Sequence, residues 1–491
     1  MKRKGLGALF FVLVFCMLLF CGCSEESLSK ADPVKITIWH YYSGAQQLYF
    51  NQLVNDFNAT EGAKKGIIVE AKCKGTISEL SEKVFAAASA NPGAEDLPEI
   101  FAAYPEAAYK LYKDDVIVNY RDFFSSSELD EFVPAYLKEG FFNGSDELML
   151  IPVAKSTEEL FINKTAWDEF SQATGADIKK LDTWEGIVET AKRYYEWTDS
   201  KTSQPGDGKS FFGRDSHSNY LLVGYSQLCG DFFEVNNGVP EIHADKAALR
   251  KLWDCFYVPM VEGWYGQYGK FRSDDLMTGD IIAFVGSSSA ASYFPESVTN
   301  SDGTLVKIKA EVLPVPNFEG KSNLAVQQGA GLAVSKQGKS RKQQLASIAF
   351  IKWFTSPEQN IKFTAYSGYM PVTKEASDED FLKRVANQQR KAMEDPASEA
   401  EVKAVDVGLR MLGSYDYFVS KPFEEGSAAR KILDASLINK ARADAESIRS
   451  ASAGSDRSVV AKAYETNENF ESWVKEFLSA FAGLGIKTDL K

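Results

Sequence analysis

Hydrophobic and polar positions alternate at the start of the main body of the chain. Residues 34–39 (Val-Lys-Ile-Thr-Ile-Trp) alternate and are rich in β-branched side chains, which predicts an opening strand. Phe50, Leu53, Val54 and Phe57 follow at offsets 0, 3, 4 and 7, the spacing of one face of a helix. A further strand, helix and strand are predicted at residues 66–70, 80–88 and 98–103. The order β-α-β-α-β predicts a parallel sheet with helices on its faces.

The loops that follow these strands are candidates for a ligand site. In such sheets ligands lie beyond the carboxyl ends of the strands. Tyr41, Tyr42 and Ser43 follow the first predicted strand, and Tyr104 follows the third. Aromatic faces suit the C–H surfaces of sugars and polyols, and polar side chains suit their hydroxyls. A surface or core tyrosine is the alternative for each ring.

The rest of the chain predicts a crossing run and a second set of elements. Residues 148–164 look like two short strands that cross near Pro152. Further strands are predicted at residues 281–285, 310–315 and 329–334, and helices at 345–353, 356–368 and 465–481. Residues 441–456 are small and polar, which favours a surface excursion over core.

The N-terminus has the layout of a secretory signal. A basic run at residues 2–4 precedes an uncharged, apolar stretch over 5–23. This stretch ends in Phe-Cys-Gly-Cys, which resembles a bacterial lipobox and predicts a signal peptide over 1–22, lipidation of Cys23 and a polar tether over 23–32. Acyl chains on that cysteine would anchor the protein without a spanning helix. An uncleaved signal anchor is the alternative, since about 20 apolar residues can span a bilayer.

Composition narrows the class of protein. The chain has 491 residues, 44% of them hydrophobic, with 33 Phe, 21 Tyr and 8 Trp, enough for two large domains or three smaller ones. The formal charge is −13, and loss of three basic residues with the signal takes 55 to 52 against 68 acids, giving −16. An acidic body argues against nucleic acid or anionic lipid surfaces as the main partner. Membrane contact is therefore expected through the lipid anchor only.

Motifs for catalysis, metals and cofactors are missing from the sequence. The three histidines form no His-Glu-x-x-His pattern, no Gly-x-Ser-x-Gly elbow occurs, and there is no phosphate loop. We therefore expect no catalytic residue, no metal and no cofactor. Among 68 acidic residues a carboxylate pair for glycoside hydrolysis could always be proposed, so a glycosidase stays open as a rival class.

Cysteine is sparse in the predicted mature body. Only Cys73, Cys229 and Cys255 remain there. They allow at most one internal disulfide, with Cys229 and Cys255 the closest in sequence. Three free thiols are the alternative.

Several stretches together resemble the family 1 extracellular solute-binding proteins of ABC importers, the group that contains maltose-, glycerol-phosphate- and other sugar-binding proteins. In chain order they are residues 36–39 with 47–58, 97–101, 151–164, 183–185, 277–284 and 350–373. The most telling is 151–164, which is close to the family's crossover run of Pro, small residues, Ser/Thr and Tyr-Asn-Lys. The order and spacing of all these stretches follow the family.

The resemblance implies an α/β fold of two lobes, each a mainly parallel sheet flanked by helices, joined by hinge crossovers. The lobes are expected at 33–151 with 310–357 (N-lobe) and 152–309 with 358–491 (C-lobe). Hinges are expected near Pro152, residues 314–316 and residues 356–368. Solute would bind in the cleft between the lobes, and the closed form would be presented to a membrane permease.

The resemblance also implies ligand contacts beyond the first strand ends. Lys155 and Ser156 match the family's hinge Ser/Thr pair, and Lys155 could offer a cation to an acidic ligand or be a solvated loop lysine. Gly329 matches a glycine whose amide can face ligand, and Tyr369 matches a ring at the cleft. The complete candidate set is Tyr41, Tyr42, Ser43, Tyr104, Lys155, Ser156, Ser287, Ser288, Gly329 and Tyr369.

The predicted function is a monomeric, lipid-anchored, extracytoplasmic component of an ABC importer that captures a saccharide or polyol. The glycerol-phosphate branch of the family uses a basic residue before its C-terminal helices. The chain places Lys-Pro-Phe at 421–423 there, with no arginine in register, which argues against a phosphate ligand. A glycerol 3-phosphate or glycerophosphodiester ligand is the alternative within the family, and a lipid-anchored glycoside hydrolase is the alternative outside it. Weaker site candidates lie in a polar loop with Asp215, His217 and Asn219.

Overall fold

The computed structural model describes residues 27–142, 147–299, 303–393, 397–452 and 456–491. The predicted signal peptide and the lipidation site Cys23 lie outside these residues. The strands are Val34–His40, Ile67–Cys73, Ile100–Ala103, Glu158–Asn163, Phe212–Arg214, Glu234–Asn236, Val239–Ala244, Ala283–Ser287, Ser297–Thr299, Leu305–Lys307, Ala310–Pro314, Leu324–Val326, Gly331–Val334, Asp416–Phe418 and Lys487–Leu490. The helices are Gly44–Phe57, Ala63–Lys65, Ile77–Ala88, Pro105–Lys113, Ser126–Leu129, Pro134–Leu137, Lys164–Thr174, Trp184–Asp199, His217–Cys229, Lys246–Glu262, Arg272–Met277, Arg341–Phe354, Pro357–Ser367, Glu379–Met393, Glu399–Ser414, Gly426–Ala451, Arg457–Ala461 and Asn467–Ala482.

The first sheet confirms the predicted β-α-β-α-β opening. Val34–His40 lies between Ile67–Cys73 and Ile100–Ala103 and is parallel to both. Gly331–Val334 adds an antiparallel edge strand beside Ile100–Ala103. The apolar face of the helix Gly44–Phe57 is buried in the same core as the sheet. These elements form the N-lobe.

The second sheet corrects two expectations. Its strand order is Ala310–Pro314, Glu158–Asn163, Ala283–Ser287, Phe212–Arg214, and only the last pair is parallel. The sheet is therefore mixed rather than mainly parallel. Ala310–Pro314, which the sequence assigned to the N-lobe, is an edge strand of this C-lobe sheet. It runs antiparallel to Glu158–Asn163, and such pairing between distant segments leaves no local signal in the sequence.

The crossing segments lie side by side between the two sheets. The outgoing segment is bridged at Ser156 to Gln328, and at Lys155 to Met370. The outgoing segment crosses at residues 155–156, a few positions beyond Pro152, near which the sequence predicted a hinge. The return crossing lies at residues 327–330, however, and not at 314–316.

The boundary near residue 357 also differs from the prediction. Ser356 and Gly368 flank the helix Pro357–Ser367, as the sequence predicted. This helix packs on Gly44–Phe57, and its Phe363 is fully buried in the N-lobe core. It therefore belongs to the N-lobe, whereas the sequence placed it in the C-lobe.

A long C-terminal helix replaces the expected surface excursion. Gly426–Ala451 packs on the helices His217–Cys229 and Lys246–Glu262. Its Ala441 and Ile448 are fully buried. Small side chains in residues 441–451 therefore serve close helix packing here rather than a loop.

Two alternatives left open by the sequence concern a disulfide between cysteines and a helix that could span a membrane. Cys73, Cys229 and Cys255 are free in the described structure, so the pairing of Cys229 with Cys255 is not formed. Among the described helices, none combines the length and apolar character needed to cross a bilayer.

Candidate functional site

A small polar cavity of about 50 Å³ lies between the lobes, next to the return crossing. It is lined by Tyr104, Pro105, Glu106, Glu139, Asn219, Leu222, Val326, Gln327, Gln328, Phe418, Val419, Ser420 and Arg430. The lining combines two carboxylates, one guanidinium and three side-chain amides with two aromatic rings. We call it the cleft cavity.

Three phenols from separate elements converge on the N-lobe side. The hydroxyls of Tyr41 and Tyr369 lie 3.3 Å apart, although the two residues are 328 positions apart in the chain. Tyr104 follows its strand directly and precedes Pro105, the first residue of its helix. Burial raises the pKa of all three phenols, so they are neutral donors and acceptors at neutral pH.

Gly329 brings the return crossing up to these phenols. Its φ of +103° is a backbone conformation that favours glycine, and a Cβ there would overlap the carbonyl oxygen of Ala154. Its backbone amide lies near the Tyr104 hydroxyl and opposes the rise in the pKa of that phenol. The next amide, of Ala330, donates to the Tyr41 hydroxyl at 3.5 Å. Glycine at 329 is therefore required by the close passage of two crossing segments.

Lys155 is neither a solvated lysine nor a free cation. Its side chain is 1% exposed, and its ammonium contacts the Glu139 carboxylate and donates to the Gly329 carbonyl at 2.9 Å. Burial lowers the pKa of Lys155 to about 7, while the charge of Glu106 opposes that shift. Since two of its three N–H donors have partners in Glu139 and Gly329, Lys155 positions Glu139 at the edge of the cavity.

The C-lobe wall is built from a relay of buried charges. Arg214 donates through one nitrogen to both carboxylate oxygens of Glu158, each at 2.9 Å. Asn219 donates to Glu158 at 3.0 Å and accepts from Arg430 at 2.6 Å. Arg214, Glu158 and Asn219 are all under 5% exposed. The relay therefore fixes the Arg430 guanidinium at the cavity.

The lobes touch each other around the cavity. Gly426, at the start of the long C-terminal helix, would bring a Cβ within 2.8 Å of the Glu106 side chain. On another side, Gly238 in a C-lobe hairpin lies so close to Tyr109 that a Cβ would overlap its hydroxyl. The Tyr136 and Tyr417 rings meet at 5.9 Å. The arrangement is closed over the cavity.

Of the ten predicted site residues, Tyr104 is in the described lining of the cleft cavity, four contact one another or a lining residue (Tyr41, Lys155, Gly329 and Tyr369), and five lie elsewhere. Tyr42 is 2% exposed and packs against Phe50 and Phe363 at 5.0 Å in the N-lobe core, so it is removed from the candidate contacts. Ser43 is exposed at the start of the helix Gly44–Phe57. Two more lie outside the cavity lining: Ser287 bonds within its own turn, and Ser288 faces the crossing segments.

Those two serines join the C-lobe sheet to the crossings. The Ser287 hydroxyl accepts from the Ser289 N–H at 3.3 Å. Ser288 donates its N–H to the Thr157 carbonyl at 2.8 Å and its hydroxyl to the Gly368 carbonyl at 3.4 Å. Ser156 is similarly occupied, since its backbone pairs with Gln328.

The sequence did not single out Arg430 as a candidate site residue, although it lines the cleft cavity. It stands nine positions after Lys421, where the comparison with the family found no arginine in register, and it lies in the first turns of Gly426–Ala451. Its position is set by the packing of that helix on His217–Cys229, which also carries Asn219. Asn219 was a weaker candidate, and the loop predicted for it is a helix.

Metal chemistry finds no support in the described residues. No group of three or more His, Cys, Asp or Glu side chains there could hold a metal ion. The charged groups of the C-lobe wall are engaged with one another.

Two lobes joined by crossing segments, with a polar cavity between them, define a two-lobed binding protein. The model of the bacterial extracellular solute-binding protein family matches residues 52–392, well over half of the chain. The chain therefore belongs to the bacterial extracellular solute-binding protein family.

Solved structures agree with this fold. UgpB from Mycobacterium tuberculosis in complex with glycerophosphocholine has a TM-score of 0.64 at 15% identity, over 93% of this chain and 100% of that one. The GacH receptor of Streptomyces glaucescens has a TM-score of 0.62 at 14% identity, over 91% of this chain and 99% of that one. The cyclic alpha-maltosyl-1,6-maltose binding protein from Arthrobacter globiformis has a TM-score of 0.61 at 16% identity, over 91% of this chain and 100% of that one. At these identities the likeness establishes the fold alone. No curated protein sequence matches the chain.

Proposed function

We propose that this protein is the lipid-anchored, extracytoplasmic binding component of an ABC importer and captures a saccharide or polyol between its lobes. The observation that carries the proposal is the cleft cavity. Its amides, phenol and carboxylates are groups that hydrogen-bond sugar hydroxyls, and Tyr104 and Phe418 offer ring surface for C–H faces. Capture involves no chemistry on the ligand.

Opening of the lobes is part of the proposal. A cavity of about 50 Å³ is smaller than the roughly 300–1,000 Å³ of typical ligand pockets. A disaccharide would enter only if the lobes separate about the crossing segments, and closure would then bury it. The permease of an importer would recognise the closed form. The protein would act as a monomer, held to the membrane through Cys23.

Thermal-shift screening tests this proposal. The panel is maltose, maltotriose, sorbitol, glycerol 3-phosphate and glycerophosphocholine. A ligand that binds only the folded state at about 100 times its Kd stabilises that state by about 2.7 kcal/mol. We expect a saccharide or polyol to raise the melting temperature, with no release of reducing sugar from oligosaccharides. If no compound in the panel raises the melting temperature, a saccharide or polyol ligand is rejected. Release of reducing sugar would favour a glycosidase.

A glycerophosphodiester is the second candidate ligand, and Arg430 favours it. A guanidinium recognises phosphate oxygens with charge-assisted hydrogen bonds, and one of the similar structures binds glycerophosphocholine. Glu106 and Glu139, however, place two carboxylates in the same lining. Their charge disfavours a doubly charged phosphomonoester such as glycerol 3-phosphate, so the screen should separate that compound from glycerophosphocholine.

A further inference from the structure

A second cavity lies outside the cleft. It has a volume of about 280 Å³ and shares none of its described lining with the cleft cavity. Its floor is Ile361 and Thr364 from the helix Pro357–Ser367, and its roof is Leu382 and Ala386 from Glu379–Met393. Val405 closes the side formed by Glu399–Ser414. Nothing in the proposed function uses this space.

The charged groups at the mouth of this cavity are already paired with one another. Lys383 lies 3.0 Å from Asp406 and 2.7 Å from Glu379. Arg390 lies 3.4 Å from Glu401 and donates to the Ala365 carbonyl. A charged ligand would have to displace one of these partners. The interior behind them is lined mostly by apolar side chains, with the Thr364 hydroxyl and the Tyr369 phenol among them, so the matching ligand is neutral and largely apolar.

The volume sets the size of that ligand. An apolar cavity of about 150 Å³ holds benzene, and this one is nearly twice as large. A fused bicyclic ring is therefore the class that would fill it. Asn387 at the mouth offers one amide to a single polar group on the ring.

The walls of the cavity come from both lobes. Pro357–Ser367 packs on the N-lobe helix Gly44–Phe57, whereas Glu399–Ser414 packs on the C-lobe strand Ala310–Pro314. The roof helix Glu379–Met393 packs on Pro357–Ser367 and reaches Glu399–Ser414 through the two ion pairs at the mouth. The space therefore lies between elements of both lobes and is partly open to solvent.

We propose that this cavity is a second binding site, for a neutral bicyclic aromatic molecule. Tyr369 lines this cavity and also contacts Tyr41 beside the cleft, so indole is titrated without cleft solute, and the result does not depend on which solute the cleft binds. Indole is the probe, because it is bicyclic and apolar and carries one N–H donor.

Calorimetric titration of the whole protein with indole tests the proposal. We expect a Kd below about 1 mM for the wild type, consistent with the efficiency of small ligands. Ala386→Phe fills the cavity and should weaken binding at least about 10-fold. Gln388→Phe adds the same ring at an exposed position of the same helix and should leave the Kd within about twofold.

Two results would overturn the proposal. One is the absence of indole binding to the wild type, and the other is unchanged binding by Ala386→Phe. If circular dichroism shows that Ala386→Phe has lost helical structure, Val402→Phe is titrated instead, and its indole binding should also be at least about 10-fold weaker than that of the wild type. Val402 lines the cavity from the opposite helix and is 48% exposed, so enlarging it does not disturb the core.

Discussion

The two walls of the cleft are built from different chemistry. On the N-lobe side the cavity lining combines the neutral phenol of Tyr104 with the carboxylates of Glu106 and Glu139. On the C-lobe side the facing group is a guanidinium, held by a relay that ends in a buried ion pair. Loss of the Tyr104 hydroxyl should therefore weaken binding less than loss of the guanidinium, and loss of the buried ion pair behind the guanidinium should cost the most stability.

Breaking the relay at Glu158 should have the largest effect. Glu158→Ala leaves Arg214 buried without its partner, and such loss costs about 3–5 kcal/mol of unfolding free energy. Urea denaturation measures it. Glu70→Ala is the matched control, because Glu70 also lies in a strand but pairs with Lys35 at the surface. It should cost at most about 1 kcal/mol, and equal losses in the two variants would erase the difference between the walls.

Removing the guanidinium itself should act on binding more than on folding. Arg430→Gln loses a charged hydrogen-bond donor to solute, worth about 1.5–3 kcal/mol, or roughly a 10- to 150-fold weaker Kd. Titration calorimetry with the best ligand from the screen measures it. Arg442→Gln on the same helix is exposed and should leave the Kd unchanged. If both variants bind as the wild type does, Arg430 has no role in recognition.

Removing one hydroxyl from the N-lobe wall should have a smaller effect. Tyr104→Phe keeps the ring and loses one neutral hydrogen bond, worth about 0.5–1.5 kcal/mol, or roughly a 2- to 12-fold weaker Kd. The same titration measures it. A loss larger than that of Arg430→Gln would reverse the ranking of the two walls.

The same substitution in the two lobes should change stability in opposite directions by about 1 kcal/mol. His40 is fully buried among rings, and within the described structure neither ring nitrogen has a hydrogen-bond partner, so His40→Phe should stabilise. His217 bonds Gln267 at 3.1 Å, so His217→Phe should destabilise. Urea denaturation of both variants at pH 7 checks the signs, and two changes of the same sign would contradict the account.

These histidines also set a dependence on pH. Burial lowers the pKa of His40 to about 4, and burial together with the Arg214 charge lowers that of His217 to about 3. Between those values and the unfolded pKa of about 6.5, the unfolded chain binds more protons. Stability is therefore lost as pH falls below about 6.5, and each Phe variant should flatten that loss. Urea denaturation of the wild type and of each Phe variant from pH 7 to pH 4 measures this loss. If the unfolding free energy of a variant falls with pH as steeply as that of the wild type, the assignment is wrong.

Much of the N-lobe followed from local sequence, whereas the C-lobe wall did not. Alternation at residues 34–39 predicted a strand, and Val34–His40 forms it. Tyr41 and Tyr42 could not be separated, because adjacent residues after a strand point to different sides and only tertiary packing decides which is buried. Arg430 gave no signal at all, since its place depends on how one helix packs against another distant in sequence. Long-range strand pairing misled the prediction for Ala310–Pro314 in the same way.

Capture of solute in the cleft is tested most directly by titrating the wild type and the Tyr104→Ala, Arg430→Gln double variant with the best saccharide or polyol from the screen. The account predicts a micromolar or tighter Kd for the wild type. It predicts binding at least about 100-fold weaker for the double variant, with the double variant still folded by circular dichroism at the temperature of the titration. Equal affinity in the two proteins would contradict it.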